Sequence, residues 1–342
     1  MTDDEELRND FISILTRGSK NNTYKFALAR FLLEHSQKRD LAYIENKKKN
    51  NENEVVSFQD IANKFLKYYW HQECKYRIKQ NYDPKKIPSV VQVIRDVFKE
   101  DMIDGYIPAY FKDMSREKIK NAEEKIQKSV FGSGKKSQVV PRFQRLKGQP
   151  PDRNLHIRGT GDFYDYDIPS GQLKIKPEAL SFFRDNYIVL TKAVFLEWSK
   201  FLEKINTLPR LIAKVQSEEV RRRTLTAYQN IFRDQRDCFY CNRRLDDLQI
   251  HVDHFIPWSY IFEDEDWNLV LACQYCNLKK SDRLAELDFR NKLINRNRDY
   301  QNKIPQLRKS LLKLDADNNW EREIKHHYDN CKEYGFRVQP LP

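Results

Sequence analysis

Two Cys-x-x-Cys pairs constrain this chain more than any other feature. Cys238-Phe-Tyr-Cys241 and Cys273-Gln-Tyr-Cys276 are separated by 31 residues. Together they can supply four thiolates to one tetrahedral Zn²⁺, and a site filled entirely by protein leaves no position for water or substrate. Such a zinc is structural. A lone redox pair does not explain the second pair. The N-terminus reads Met1, Thr2, Asp3, Asp4, Glu5, Glu6, acidic where a secretory signal is basic. No apolar run nears the roughly 18 residues that cross a bilayer. A cytoplasmic protein away from the membrane is expected, and in that reducing setting six cysteines point to metal rather than disulfides.

A harder set of ligands lies beside the zinc pairs: Asp253 and His254 between them, and Asn277 directly after the last cysteine. Carboxylate and amide oxygens suit Mg²⁺ or Mn²⁺ better than zinc, and an imidazole beside such an ion is placed to take a proton from water. One metal would shape the site by tying the strand of His254 to the segment of Asn277. The other would work in it.

These residues resemble the HNH endonucleases with the ββα-metal fold, in their zinc-stapled form. The likeness covers about residues 236–285 of 342 and is carried by Asp253-His254-Phe-Ile-Pro257, Asn268-Leu269, Cys276-Asn277 and Lys280-Ser281-Asp282. It implies a hairpin whose first strand ends near His254, a second strand from Asn268 to Ala272, and a helix opening about Asn277. It further implies that His254 is the general base for phosphodiester hydrolysis and that Asp253 and Asn277 hold one divalent cation. Asn268 would brace the loop orienting His254. The third signature position is often histidine in this family, and Asn277 there points to Mg²⁺ or Mn²⁺ rather than a catalytic zinc. Products with 5′-phosphate and 3′-hydroxyl ends are expected.

Neighbouring residues admit two readings each. Lys279, Lys280 and Arg283 can contact phosphates near the helix start or form a solvated basic face. His251 shares a strand face with Asp253, and a hydrogen-bonded structural histidine is the favoured reading over a third ligand. His327 and Cys331 fall within the packing stripe of Trp320, Ile324 and Tyr328. Tyr68, Tyr69, Trp70 and His71 read as a core-facing run before they read as base-stacking residues. Gly132-Ser-Gly134-Lys135-Lys136 is not a phosphate-binding loop, because Ser129 and Lys136 stand where that motif needs glycine and Ser or Thr.

The rest of the chain reads as mainly α with a small α+β module. Helices are predicted near 23–36, 57–75, 88–100, 114–129 and 190–205, and again beyond 285. Ser57 with Asp60 makes the capping signal of the second. Lys47 to Glu54 reads as a solvated loop, and 163–168 with 172–176 as a hairpin around Pro169-Ser-Gly171. The expected organisation is a basic helical domain (1–131), a Gly/Pro-rich basic linker (132–161), a hairpin with helices (162–235), the HNH-like module (236–285) and C-terminal helices packing on it (286–342).

Charge divides the work. The chain carries +12, from 62 Lys and Arg against 50 Asp and Glu, and residues 1–150 hold +9 of it (30 against 21). Residues 238–285 carry −3, five against eight, before any metal binds. A module of that sign does not hold a polyanion by itself, so the leader and linker are expected to supply most phosphate contacts. DNA is the expected partner, with RNA as the alternative. A long helical leader ahead of such a module also resembles components of bacterial restriction or phage-defence systems, in which a protein partner is expected. The competing readings are a zinc-stabilised nucleic-acid-binding module that does not cut, and a nuclease subunit silent until a partner activates it.

Overall fold

The computed structural model describes residues 3–342 except 19, 84, 103–110, 133–138, 145–157, 217–224, 230, 233–234 and 246–249. The chain forms two compact units, residues 1–206 with 211–218, and residues 207–210 with 219–342. Among the described residues no helix is long and apolar enough to cross a membrane.

The first unit is built on helices α1 (Asp3–Thr16), α2 (Tyr24–Gln37) and α3 (Leu41–Asn50), strand β1 (Glu54–Ser57), then α4 (Phe58–Cys74), α5 (Ser89–Val97), α6 (Arg116–Ile126) and α7 (Val139–Phe143). Strands β2 (Arg158–Gly159), β3 (Tyr164–Asp167) and β4 (Gln172–Ile175) and helices α8 (Pro177–Asp185), α9 (Tyr187–Glu203) and α10 (Leu211–Gln216) complete it. Helix α4 starts where its capping signal lies: Ser57 Oγ accepts from the Asp60 amide at 3.1 Å, satisfying an orphan N–H of the first turn. Its Tyr68, Tyr69 and Trp70 are buried, so the aromatic run is core. Phe26 of α2 stacks on Trp198 of α9 at 6.1 Å, and Phe11 meets Phe163 and Phe183 edge-on.

One stretch departs from expectation. Lys47 to Asn50 are the last turn of α3 rather than loop. Asp40 caps that helix by accepting from the Tyr43 amide at 2.7 Å, Ile44 anchors it in the core, and Asn51 ends it in the left-handed region at φ 50°. Three lysines in a last turn complement the carbonyl end of a helix, which a reading of their charge as solvated loop overlooks. Glu54 then opens β1 with its carboxylate buried, accepting from Tyr43 Oη at 2.5 Å, His35 Nε2 at 2.9 Å and Arg39 Nε at 2.8 Å.

The hairpin forms with Tyr164 opposite Ile175 and Asp167 opposite Gln172, turning at Gly171 with φ +66°. Strand β4 also pairs antiparallel with β1, Glu54 opposite Ile175, so the sheet runs β1-β4-β3-β2. Of the expected linker, residues 133–138 and 145–157 lie outside the described residues. Between them α7 buries Val139, Val140 and Phe143, and Tyr164 Oη donates to the Val140 carbonyl at 2.7 Å.

The second unit runs α11 (Thr226–Gln229), β5 (Ile250–His254), α12 (Trp258–Ile261), β6 (Leu269–Cys273), α13 (Gln274–Lys280), β7 (Leu284–Ala285), α14 (Leu287–Tyr300), α15 (Pro305–Leu314), α16 (Trp320–Glu333) and β8 (Val338–Gln339). Strands β5 and β6 are antiparallel, His254 opposite Leu269 and Ile250 opposite Cys273. Helix α13 follows β6 without a loop. It opens at Gln274, three residues before the expected start, because Cys273 is extended at φ −72°, ψ 157° and the chain coils immediately after it. Strands β7 and β8 pair in parallel, Leu284 with Val338, closing the C-terminus onto the chain after α13.

Candidate active site

The four cysteines come together. The sulfurs of Cys238, Cys241, Cys273 and Cys276 all lie within 4.8 Å of one another, and those of Cys241 and Cys273 are 3.8 Å apart. Zn–S bonds of about 2.3 Å place tetrahedral sulfurs about 3.8 Å apart, so the cluster fits a structural zinc. Asn242 turns the first pair tightly at φ 57°, its amide donating to the Cys238 carbonyl at 3.0 Å, and the Phe239 amide ties that turn to the Leu271 carbonyl of β6 at 2.9 Å. Burial pushes the Cys238 and Cys276 thiols up. A bound cation offsets this by holding the thiolates.

Beside this knuckle, β5 lies on α13. His251 and Asp253, two apart on one face of the strand, meet Asn277 and Lys280, three apart on one face of the helix. Nδ2 of Asn277 is 3.3 Å from Nδ1 of His251, and Lys280 Nζ is 3.0 Å from Asp253 Oδ2. Tyr240, buried beside the zinc knuckle, donates its hydroxyl to Asp253 Oδ2 at 2.5 Å, and burial pushes that phenol well above its ordinary range, so it remains a donor. The Asp253 carboxylate keeps acceptor capacity beyond these contacts, since two carboxylate oxygens offer about four lone-pair sites.

His254 ends β5. Its carbonyl accepts from Lys280 Nζ at 2.7 Å, and its Nε2 lies 2.9 Å from Asp264 Oδ1. Just beyond, Asn268 reaches back across the loop: its Nδ2 donates to the Ile256 carbonyl and its Oδ1 accepts from the Ile256 amide, both at 2.8 Å. The Phe255 amide donates to the Asn268 carbonyl at 2.8 Å. These three bonds hold the turn that leaves His254. Behind it, Arg296 and Asn297 of α14 donate to the Trp267 carbonyl at 3.2 Å and 3.0 Å.

The basic residues after Asn277 do not form one face. Lys280 is fully buried in its pair with Asp253, which corrects its expected place among phosphate contacts; position 280 faces β5 while 279 turns outward. Lys279 is half-buried, its ammonium 5.9 Å from the Tyr275 ring. Arg283 donates to the Lys279 carbonyl at 3.1 Å and to Gln339 Oε1 at 3.0 Å, bracing α13 against β8. His327 stacks on Trp267 at 6.1 Å, and Cys331 is buried with Trp320, Ile324 and Tyr328 in the stripe of α16. Tyr240 and Asp264 were not among the residues the sequence singled out. Tyr240 sits inside the first Cys-x-x-Cys pair, which is a signal of place, whereas Asp264 is one of four consecutive acidic residues and carries no signal of its own.

Residues 238–286 match the model of a family described as HNH endonuclease, and the four cysteines stand together as in a zinc-binding module of that family. Residues 6–140 match a family described as a domain of unknown function. The searches of curated proteins and of solved structures return no match.

Proposed function

We propose that this protein is a metal-dependent endonuclease that hydrolyses phosphodiester bonds of DNA. The observation carrying the reading is the packing of β5 on α13 beside the cysteine cluster, which sets the Asp253 strand face against the Asn277 helix face with His254 at the strand's end. His254 takes a proton from water as the water oxygen bonds to phosphorus. The bond from phosphorus to the 3′ oxygen breaks, and that oxygen takes a proton from solvent, leaving 5′-phosphate and 3′-hydroxyl ends. Mg²⁺ or Mn²⁺ held by Asp253 and Asn277 would neutralise charge developing on the phosphate oxygens. Asn268 keeps the turn after His254 rigid. Lys279 and the basic residues of 1–150 supply phosphate contacts that the negative HNH-like segment lacks.

A second reading rests on Lys280. An ammonium already 3.0 Å from Asp253 competes with a cation for that carboxylate, which favours a zinc-stabilised module that binds nucleic acid without cutting. One experiment separates the two. The purified protein is incubated with supercoiled plasmid, linear duplex, single-stranded DNA and RNA in Mg²⁺ or Mn²⁺. The nuclease reading expects nicking of DNA and a loss of about 10²- to 10⁴-fold in His254→Ala with zinc content unchanged. Binding without cleavage under every condition supports the second reading. A blank across all four substrates points to a subunit waiting for a protein partner, the setting expected in a defence complex.

A further inference from the structure

The main chain of His254 is held from two sides, by its pairing opposite Leu269 and by the bond from Lys280 to its carbonyl. What remains free is rotation of the ring. On that ring Nε2 faces Asp264 Oδ1 at 2.9 Å, in a pair whose side chains are 7% and 21% exposed. Asp264 sits on a loop that is itself anchored. Phe262 turns the chain at φ 63° with its amide on the Trp258 carbonyl, and the Asp264 carbonyl accepts from Tyr228 Oη at 3.2 Å. Glu265 next to it accepts from Ser310 Oγ at 2.7 Å and from Lys313 Nζ at 3.0 Å.

We propose that Asp264 is the positioning residue of His254, setting both the angle of the ring and which nitrogen carries the hydrogen. An ionised carboxylate only accepts, so Nε2 carries the hydrogen and Nδ1 keeps the lone pair that takes a proton from water. The nitrogen left to act as base is therefore chosen by a residue ten positions away from the histidine. The inference rests on the nuclease reading for its consequence in rate, and on geometry alone for its consequence in the ring.

The test has two arms. In the first, two-bond ¹H–¹⁵N correlations of the ¹⁵N-labelled full chain at one fixed pH report the tautomer of His254. Wild type is expected as the Nε2–H form, Asp264→Ala as a mixture with the Nδ1–H form, and Asp264→Glu, whose carboxylate still only accepts, as the Nε2–H form. In the second, plasmid nicking is expected to lose about 10- to 100-fold in kcat in Asp264→Ala, with KM moving less than about twofold, and several-fold less than that in Asp264→Glu. Zinc content and the unfolding midpoint check folding, and Asp264→Ser, polar but too short to reach the ring, replaces the alanine variant if that one fails to fold. An alanine variant that keeps the Nε2–H form, or equal rate losses in alanine and glutamate, overturns the proposal. A wild type that cuts nothing overturns the nuclease reading instead, and the tautomer arm still decides the role of Asp264.

Discussion

Lys280, with none of its side chain exposed, stands 3.0 Å from Asp253 Oδ2 and 2.7 Å from the carbonyl of His254. One ammonium thus ties α13 to the last two residues of β5. Removing one partner of a buried pair strands the other without compensation. Lys280→Met is expected to cost about 3–5 kcal/mol in urea unfolding, and Lys280→Met with Asp253→Leu to recover part of it. A double variant no more stable than the single one would mean the pair is not coupled as described.

Asn268 holds both backbone groups of a buried residue. In Asn268→Ala the amide and carbonyl of Ile256 lose their partners, at about 1–3 kcal/mol for each group left unsatisfied. Asn268→Asp keeps the acceptor for the Ile256 amide but sets a carboxylate against the Ile256 carbonyl, so it is expected to be no better than alanine. Thermal unfolding followed by near-ultraviolet circular dichroism measures both.

Zinc removal tests the cysteine cluster directly. Metal analysis is expected to find one zinc for each chain in wild type and loss of that zinc in Cys276→Ser, since three thiolates and a hydroxyl make a weaker site. Loss of zinc frees the turn at Cys238–Cys241 from β6, so amide exchange should rise across β5 and α13 while α2 and α4 of the first unit keep their protection.

Acid should loosen the first unit in two steps. Burial lowers the proton affinity of His35 more than its bond to Glu54 restores it, so this ring favours folding above the ordinary histidine range and the benefit is lost as pH falls below about 6.5. Burial alone raises the Glu54 carboxyl, but hydrogen bonds from Tyr43, His35 and Arg39 outweigh it and hold it below the ordinary glutamate range. Its contribution is complete above about pH 4.3 and is lost as pH falls through the lower folded value. Glu54→Gln is therefore expected to cost about 1–3 kcal/mol at pH 7 and much less at pH 3, read from unfolding midpoints across that range.

Features decided within a few residues were legible in the sequence. The spacing of two Cys-x-x-Cys pairs was enough to bring four sulfurs together, because a tetrahedral metal demands that set and little else about the fold. Ser57 with Asp60 placed the start of α4, because a cap acts across three residues. The family resemblance carried by Asp253-His254, Asn268 and Asn277 implied the hairpin and helix, and the helix opens three residues early.

Tertiary structure decided the rest. Lys279 and Lys280 are the same residue type side by side, and only the seating of α13 on β5 turns one toward solvent and buries the other against Asp253, since adjacent helix positions point about 100° apart. Glu263, Asp264, Glu265 and Asp266 are alike in charge, yet the path of one loop brings Asp264 alone to the ring of His254. Sequence determines which groups are available over short spans; which of several equivalent groups meets a distant partner depends on how whole elements pack, a sum of contacts that no local pattern contains.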